Sequence, residues 1–146
     1  WVMISRYDAN RIRRLMANAL VGTRGPNFVR VFYAHLFMCH PNLRPLFPIN
    51  IANQARKLLM TISVVVKNLE NDAELQRIAV HLMEVDNNIP IQEIHIEAFL
   101  ESFSYAYKEV AGHEFPRQEW NIFRRAIFSV SGPMLHSGIP SLQLTG

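Results

Sequence analysis

Apolar residues recur every three to four positions along almost the whole of this chain, and nowhere do they alternate with the period of two typical of a half-buried strand. Proline and glycine divide this pattern into segments. Pro41 follows the second segment, Pro90 and Pro116 begin the last two, and Gly132 with Pro133 interrupts the final one. The sequence therefore predicts an all-α domain of about six to eight helices joined by short connections.

The segment boundaries give approximate helix limits. We expect helices over 8–22, 26–40, 50–69, 72–85, 90–112 and 116–132, with a proline-rich turn over 41–48. Asp8 is the expected N-cap of the first helix.

Residues 136–146 are expected to form a polar tail or linker. Residues 1–146 are a length typical of one domain, and because the sequence opens on Trp1 we expect that domain to be cut from a longer chain.

The charge and cysteine content of the chain indicate which binding partners and which cellular compartment to expect. The chain has 15 Lys and Arg against 12 Asp and Glu, and this excess is spread along the sequence. Nucleic-acid binding normally needs a concentrated basic stripe, so we expect no nucleic-acid partner. Cys39 is the single cysteine, which fits a reducing, intracellular compartment. The longest apolar run, 58–66, is too short to cross a membrane, and we expect no membrane partner.

An ordered run of residues carries a family resemblance. Phe32-Tyr33, Leu36-Phe37, His40-Pro41 and Arg44-Pro-Leu-Phe47 follow one another without a gap. This run resembles the second and third helices of bacterial single-domain globins and of the globin domain of flavohaemoglobins. The stretches 54–61 and 68–71 resemble the distal helix of the same proteins. The resemblance covers about 8–135 and implies a globin fold.

The resemblance also implies a distal pocket. Phe47 takes the place of the phenylalanine that packs on the haem plane, and Leu58 that of the apolar residue beside the ligand. Tyr33 and Gln54 take the places of the pair that donates hydrogen bonds to bound oxygen, which suits a hydroxyl and an amide in an apolar pocket. The alternative interpretation makes Tyr33, Phe47 and Leu58 ordinary core residues and Gln54 an ordinary surface amide.

The proximal side departs from the family pattern. Globins hold the haem iron with a histidine four residues after a leucine. The bacterial spacing places Asp86 at that position and the spacing of myoglobin places Met83 there, so neither provides a histidine. His81 is the nearest histidine and serves as iron ligand only if the loops on both sides change length. Met83 is a softer ligand that more often fills a core, and His95 needs a rearranged pocket.

The residues that support the proximal histidine in bacterial globins are missing as well. The family's tyrosine and glutamate correspond here to Ile96 and Leu135, so the hydrogen bonds that tune the iron are lost. We therefore expect no NO dioxygenase activity, and residues 1–146 contain no flavin or nicotinamide module to supply electrons. If haem is absent, large side chains must fill its volume. The residues suited to this are Met60, Met83, Phe99, Phe103, Phe123 and Phe128.

Two functional hypotheses follow. The first is a globin-fold regulatory, sensor or interaction domain of a larger intracellular protein, without conventionally ligated haem, that binds a small ligand, a protein partner or other domains of its chain. The alternative is a haem b-binding oxygen or NO sensor or carrier, with His81 proximal and Tyr33 and Gln54 distal. No catalytic residues are predicted, because the other histidines are scattered and no His-Glu-x-x-His spacing occurs. A homodimer is compatible with either hypothesis.

Overall fold

The described part of the chain is all-helical. A computed structural model describes the backbone of residues 4–85 and 93–145, with side chains outside 82–85, 93–94 and 132–145. These residues form six α-helices and one 3-10 helix, with no strand among them, which confirms the all-α prediction. No described helix is both long and apolar enough to cross a membrane. In chain order the elements are α1 (Arg6–Leu20), α2 (Arg24–Cys39), the 3-10 helix (Pro41–Leu46), α3 (Ala52–Lys67), α4 (Asp72–Val85), α5 (Glu93–Ala111) and α6 (Arg117–Thr145).

The first helix begins earlier than predicted. Ser5 is its N-cap, and the Ser5 hydroxyl accepts a hydrogen bond of 3.1 Å from the backbone N–H of Asp8. The prediction of Asp8 as N-cap was wrong by one turn. Both residues suit a helix N-terminus for different reasons, because the Ser5 hydroxyl pairs with a free amide while the Asp8 carboxylate interacts favourably with the helix dipole.

The last helix runs further than predicted. Instead of stopping at Gly132 and Pro133, α6 continues to Thr145, so a helix occupies most of the region predicted to be a polar tail over 136–146. Inside a helix, proline removes one backbone hydrogen bond and its ring crowds the carbonyl four residues earlier, which is that of Ser129 for Pro133 and that of His136 for Pro140. The helix nevertheless continues past both prolines, which sequence rules treat as stops.

Aromatic side chains form the centre of the core. The Phe103 ring of α5 lies 4.9 Å from the Phe28 ring of α2 and 5.1 Å from the Phe123 ring of α6, measured between centroids. Phe32 and Phe99 make a further edge-to-face contact between α2 and α5, at 5.3 Å. These spacings and tilted geometries are the ones aromatic pairs prefer. They hold α2, α5 and α6 together around one hydrophobic cluster.

An arginine joins α1 to the end of α3. The Arg13 guanidinium donates to the backbone carbonyls of Val66 and Lys67 at 2.9 and 3.2 Å. It also pairs with both carboxylate oxygens of Glu70, at 3.0 and 2.6 Å. A cation near a helix C-terminus stabilises the free carbonyls there, and the two-point pairing with a carboxylate is the geometry that arginine favours. The hydrogen bonds from Arg13 lower the pKa of Glu70.

Replacing Glu70 with glutamine is expected to lower the free energy of unfolding by about 1 kcal/mol at neutral pH. Because the pKa of Glu70 is lowered in the folded state, its contribution is present above the pKa of an unfolded glutamate, ~4.3. The contribution is lost as the pH falls through the lowered value. Urea unfolding of both proteins across acidic and neutral pH measures the difference, which should disappear in acid.

The matched control is Glu74→Gln, which removes a carboxylate of similar exposure whose partner, Arg77, is exposed and lies one turn away on the same helix α4. We expect that change to alter the free energy of unfolding by less than about 0.5 kcal/mol. A difference between Glu70→Gln and the original protein that stays constant with pH would contradict the role assigned to the Arg13–Glu70 pair.

Candidate functional site

A cavity of about 260 Å³ lies between α2, the 3-10 helix and α3 on one side and α5 and α6 on the other. It is larger than a cavity of ~150 Å³ that holds benzene, and slightly smaller than the ~300 Å³ at which pockets for drug-sized molecules begin. Aliphatic and aromatic side chains make up most of its wall. The lining residues are Phe32, Tyr33, Leu36, Leu43, Leu46, Phe47, Leu58, Thr61, Ile62, Val65, His95, Ile96, Phe99, Ile127, Val130 and Ser131.

Three of the four predicted distal residues meet at this cavity. Tyr33, Phe47 and Leu58 line it, from α2, the segment after the 3-10 helix and α3. The Tyr33 and Phe47 rings are in edge-to-face contact at 6.0 Å. Gln54 is half-buried at the start of α3 and is not among the lining residues. The structure thus places Tyr33 at the cavity without the predicted amide of Gln54 in its wall.

Tyr33 is a polar residue of the cavity wall that aromatic rings hold in place. Its ring packs against Phe32 at 5.1 Å and Phe37 at 5.7 Å. Burial raises the pKa of Tyr33 to about 12, because low-polarity surroundings disfavour the charged phenolate. The hydroxyl therefore keeps its proton at neutral pH and can donate it to a ligand.

His81 does not reach the cavity. It is exposed on α4, where the side chains of Leu75 and Ala79 are buried and that of Ile78 is half-buried. Residues 75, 78 and 79 form the buried face at helical spacing, and position 81, one turn beyond the half-buried Ile78, lies at the edge of that face with its side chain exposed. The side chain of Met83, and Asp86 as a whole, lie outside the described residues.

His95 is the histidine that the structure brings to the cavity. It lies in the first turn of α5 and is half-buried, beside the buried Ile96, which also lines the wall. By the family resemblance Ile96 corresponds to the family's tyrosine, and an isoleucine has no hydroxyl to support an iron ligand from there. The side chain of Leu135, assigned to the glutamate position, lies outside the described residues.

The described residues do not provide the predicted haem b site in which His81 is the iron ligand. Haem is larger than most drug-sized ligands, whose pockets occupy ~300–1,000 Å³, and this cavity has about 260 Å³. The predicted iron ligand His81 faces solvent. Tyr33 is also a poor ligand, because tyrosine binds haem iron as a phenolate and burial favours the protonated form.

A second group of polar residues lies outside the cavity wall, and sequence reasoning missed it. His35 and Cys39 of α2 meet Glu101 of α5, with ligand-type atoms all within 4.8 Å of one another. The spacing of four residues between His35 and Cys39, which puts both on one helix face, was a signal available from the sequence. Glu101 was not identifiable, because its approach depends on the packing of α5 against α2.

Comparison with known proteins assigns no family, since no family model and no curated protein matches the chain.

Proposed function

We propose that this chain is a globin-fold regulatory domain that binds a small, mostly apolar molecule in its cavity in place of haem. The observation that carries this proposal is the apolar cavity of about 260 Å³ with a protonated tyrosine hydroxyl in its wall. A wall of this kind favours binding, since apolar surface supplies affinity and a few polar groups fix the orientation of the ligand.

The order and packing of the helices support a globin fold. A short 3-10 helix stands between α2 and α3, where the family has its own short third helix, and α2 packs closely against α5. Tyr33, Phe47 and Leu58, assigned to the distal pocket by resemblance alone, line one cavity. That these three residues line one cavity is what the register of the resemblance predicts.

The cavity wall also limits the class of ligand. Its volume suits a single aromatic ring with a short substituent, or a branched aliphatic molecule of similar size. Tyr33 can donate one hydrogen bond, so a ligand with a carbonyl or ether oxygen gains more than a pure hydrocarbon. Tyr33 lines the cavity and its hydroxyl keeps its proton, which it can donate to a ligand with an acceptor oxygen.

We expect acetophenone, which carries a carbonyl, to bind more tightly than cumene, which has a similar shape without it. Tyr33→Phe should weaken acetophenone binding about fivefold, the effect of one neutral hydrogen bond of ~1 kcal/mol. The same change should leave cumene binding nearly unaltered, because the ring and its packing remain. Titration followed by NMR chemical shifts of the cavity methyl groups measures both affinities.

Equal weakening of both compounds by Tyr33→Phe would show that Tyr33 acts through packing and would contradict the hydrogen-bonding role. Failure of both compounds to bind would overturn the apolar-ligand proposal.

The haem content of the purified protein tests the alternative hypothesis of a haem-based sensor. Protein purified from haem-supplemented cells with a strong Soret band and stoichiometric iron would replace the present proposal with haem-based sensing, and His95→Ala would then test the cavity histidine as iron ligand.

A further inference from the structure

We propose that His35, Cys39 and Glu101 form a binding site for Zn²⁺ on the surface formed by α2 and α5. The three residues provide an imidazole nitrogen, a thiol sulfur and a carboxylate oxygen that all lie within 4.8 Å of one another. None of the three lines the apolar cavity, so the proposal does not depend on the function proposed for that cavity.

The distance between the two α2 ligands matches zinc geometry. Cys39 Sγ lies 3.5 Å from His35 Nε2. In a tetrahedral site with Zn–S near 2.3 Å and Zn–N near 2.0–2.1 Å, these two atoms are about 3.5–3.6 Å apart. Cys39 is exposed and His35 is half-buried, so a metal ion can approach from solvent while the imidazole remains anchored.

The structure holds the His35 ring in the orientation that metal binding needs. His35 Nδ1 lies 2.9 Å from Oγ of Ser102, a fully buried residue of α5. When Nδ1–H donates to that oxygen, Nε2 keeps its lone pair and faces Cys39. The Tyr105 ring stacks on the imidazole with centroids 4.2 Å apart, which further restricts its rotation. A surface histidine with no binding role does not need both restraints.

A second histidine borders the site and has an unsatisfied nitrogen. Nε2 of His40 is buried without a hydrogen-bond partner among the described residues. It lies 3.6 Å from Glu101 Oε2, which is too long for a hydrogen bond. An unpartnered buried nitrogen costs free energy and is unusual in a folded protein. It gains a partner if the carboxylate shifts towards it or if water bound to the metal reaches it.

The atom types of the three proposed ligands determine which metal ion suits the site. A thiolate with an imidazole and a carboxylate suits Zn²⁺, whereas Mg²⁺ and Ca²⁺ prefer oxygen ligands alone. Three protein ligands leave the fourth tetrahedral position to water. Binding requires the Cys39 thiol to lose its proton to solvent as the Zn–S bond forms, so one proton is released per metal and affinity rises with pH.

Competition between the tag-free full chain and a chromogenic zinc chelator measures this site. We expect one Zn²⁺ per chain, with Cys39→Ser and Glu101→Gln each lowering the affinity more than tenfold. Ser102→Ala should lower it about tenfold by freeing the His35 ring, although Ser102 does not touch the metal. The matched control is Glu109→Gln, an exposed carboxylate further along α5, which should leave the affinity unchanged.

Co²⁺ used in place of Zn²⁺ gives a second, spectroscopic readout. A thiolate-to-cobalt charge-transfer band should appear with the original protein and with Glu109→Gln, and should be absent from Cys39→Ser. Circular dichroism of each variant establishes that the helices are intact. Absence of stoichiometric binding, or binding that Cys39→Ser leaves unchanged, would overturn the proposal.

Discussion

Replacing Phe103 with alanine is expected to lower the free energy of unfolding by about 3–5 kcal/mol, the usual cost of removing a buried aromatic ring. Phe103 is 0% exposed. Its ring contacts Phe28 of α2, and Trp120 and Phe123 of α6, at centroid distances of 4.9, 6.1 and 5.1 Å. The loss therefore combines burial, aromatic contacts between three helices and the void that remains. Chemical denaturation measures it.

The stability loss in Phe103→Ala measures core packing and not the helix propensity of α5. Alanine is a stronger helix former than phenylalanine, so any loss of stability arises from the core and not from α5 itself. Phe103→Leu should cost less, because it keeps much of the volume. Tyr7→Ala, which removes an aromatic ring that is 67% exposed, should change stability by less than about 1 kcal/mol. A similar cost for Phe103→Ala and Tyr7→Ala would contradict the central position given to Phe103.

Replacing Val65 with phenylalanine is expected to reduce acetophenone binding at least about a hundredfold, a free-energy change of ~2.7 kcal/mol. Val65 is 1% exposed and lines the cavity from α3. A larger side chain at this position occupies volume that the ligand needs. Because the space is already empty, the protein should remain folded, with a change in stability smaller than the ~1–3 kcal/mol of overpacking a filled core.

Val64→Phe is the matched control, since it makes the same substitution one residue earlier on the same helix. Val64 is 42% exposed and does not line the cavity, so acetophenone affinity should stay within about twofold of the original value. NMR titration of both variants, with thermal unfolding to check their folding, gives the comparison. Unchanged binding in a folded Val65→Phe variant would exclude the cavity as the ligand site.

Local patterns in the sequence were sufficient for the helices, and the family resemblance identified three residues that line the cavity, Tyr33, Phe47 and Leu58. Apolar spacing predicts which face of each helix is buried, and proline and glycine place most of the helix limits within a few residues. The ordered run from Phe32 to Phe47 placed Tyr33 and Phe47 at one pocket, where the structure has them. The end of α6 was wrong, because the rule that proline ends a helix is a tendency that the rest of a helix can override.

Which histidine lies at the cavity was decided only by the tertiary structure. His81 and His95 are both on predicted helices, and the choice between them depends on how α4 and α5 are rotated about their axes and packed against their neighbours. The same is true of Gln54, which lies just beyond the cavity wall, and of Glu101, which packing brings to His35 and Cys39.

The sequence by itself therefore determined the all-helical class and the apolar face of most helices, because both depend on interactions within a few residues along the chain. The tertiary structure alone decided the volume of the cavity, the exposure of His81 and the approach of Glu101 to α2. Each of these depends on contacts between helices far apart in sequence, where a rotation of one residue position moves a side chain by about 100° around the helix.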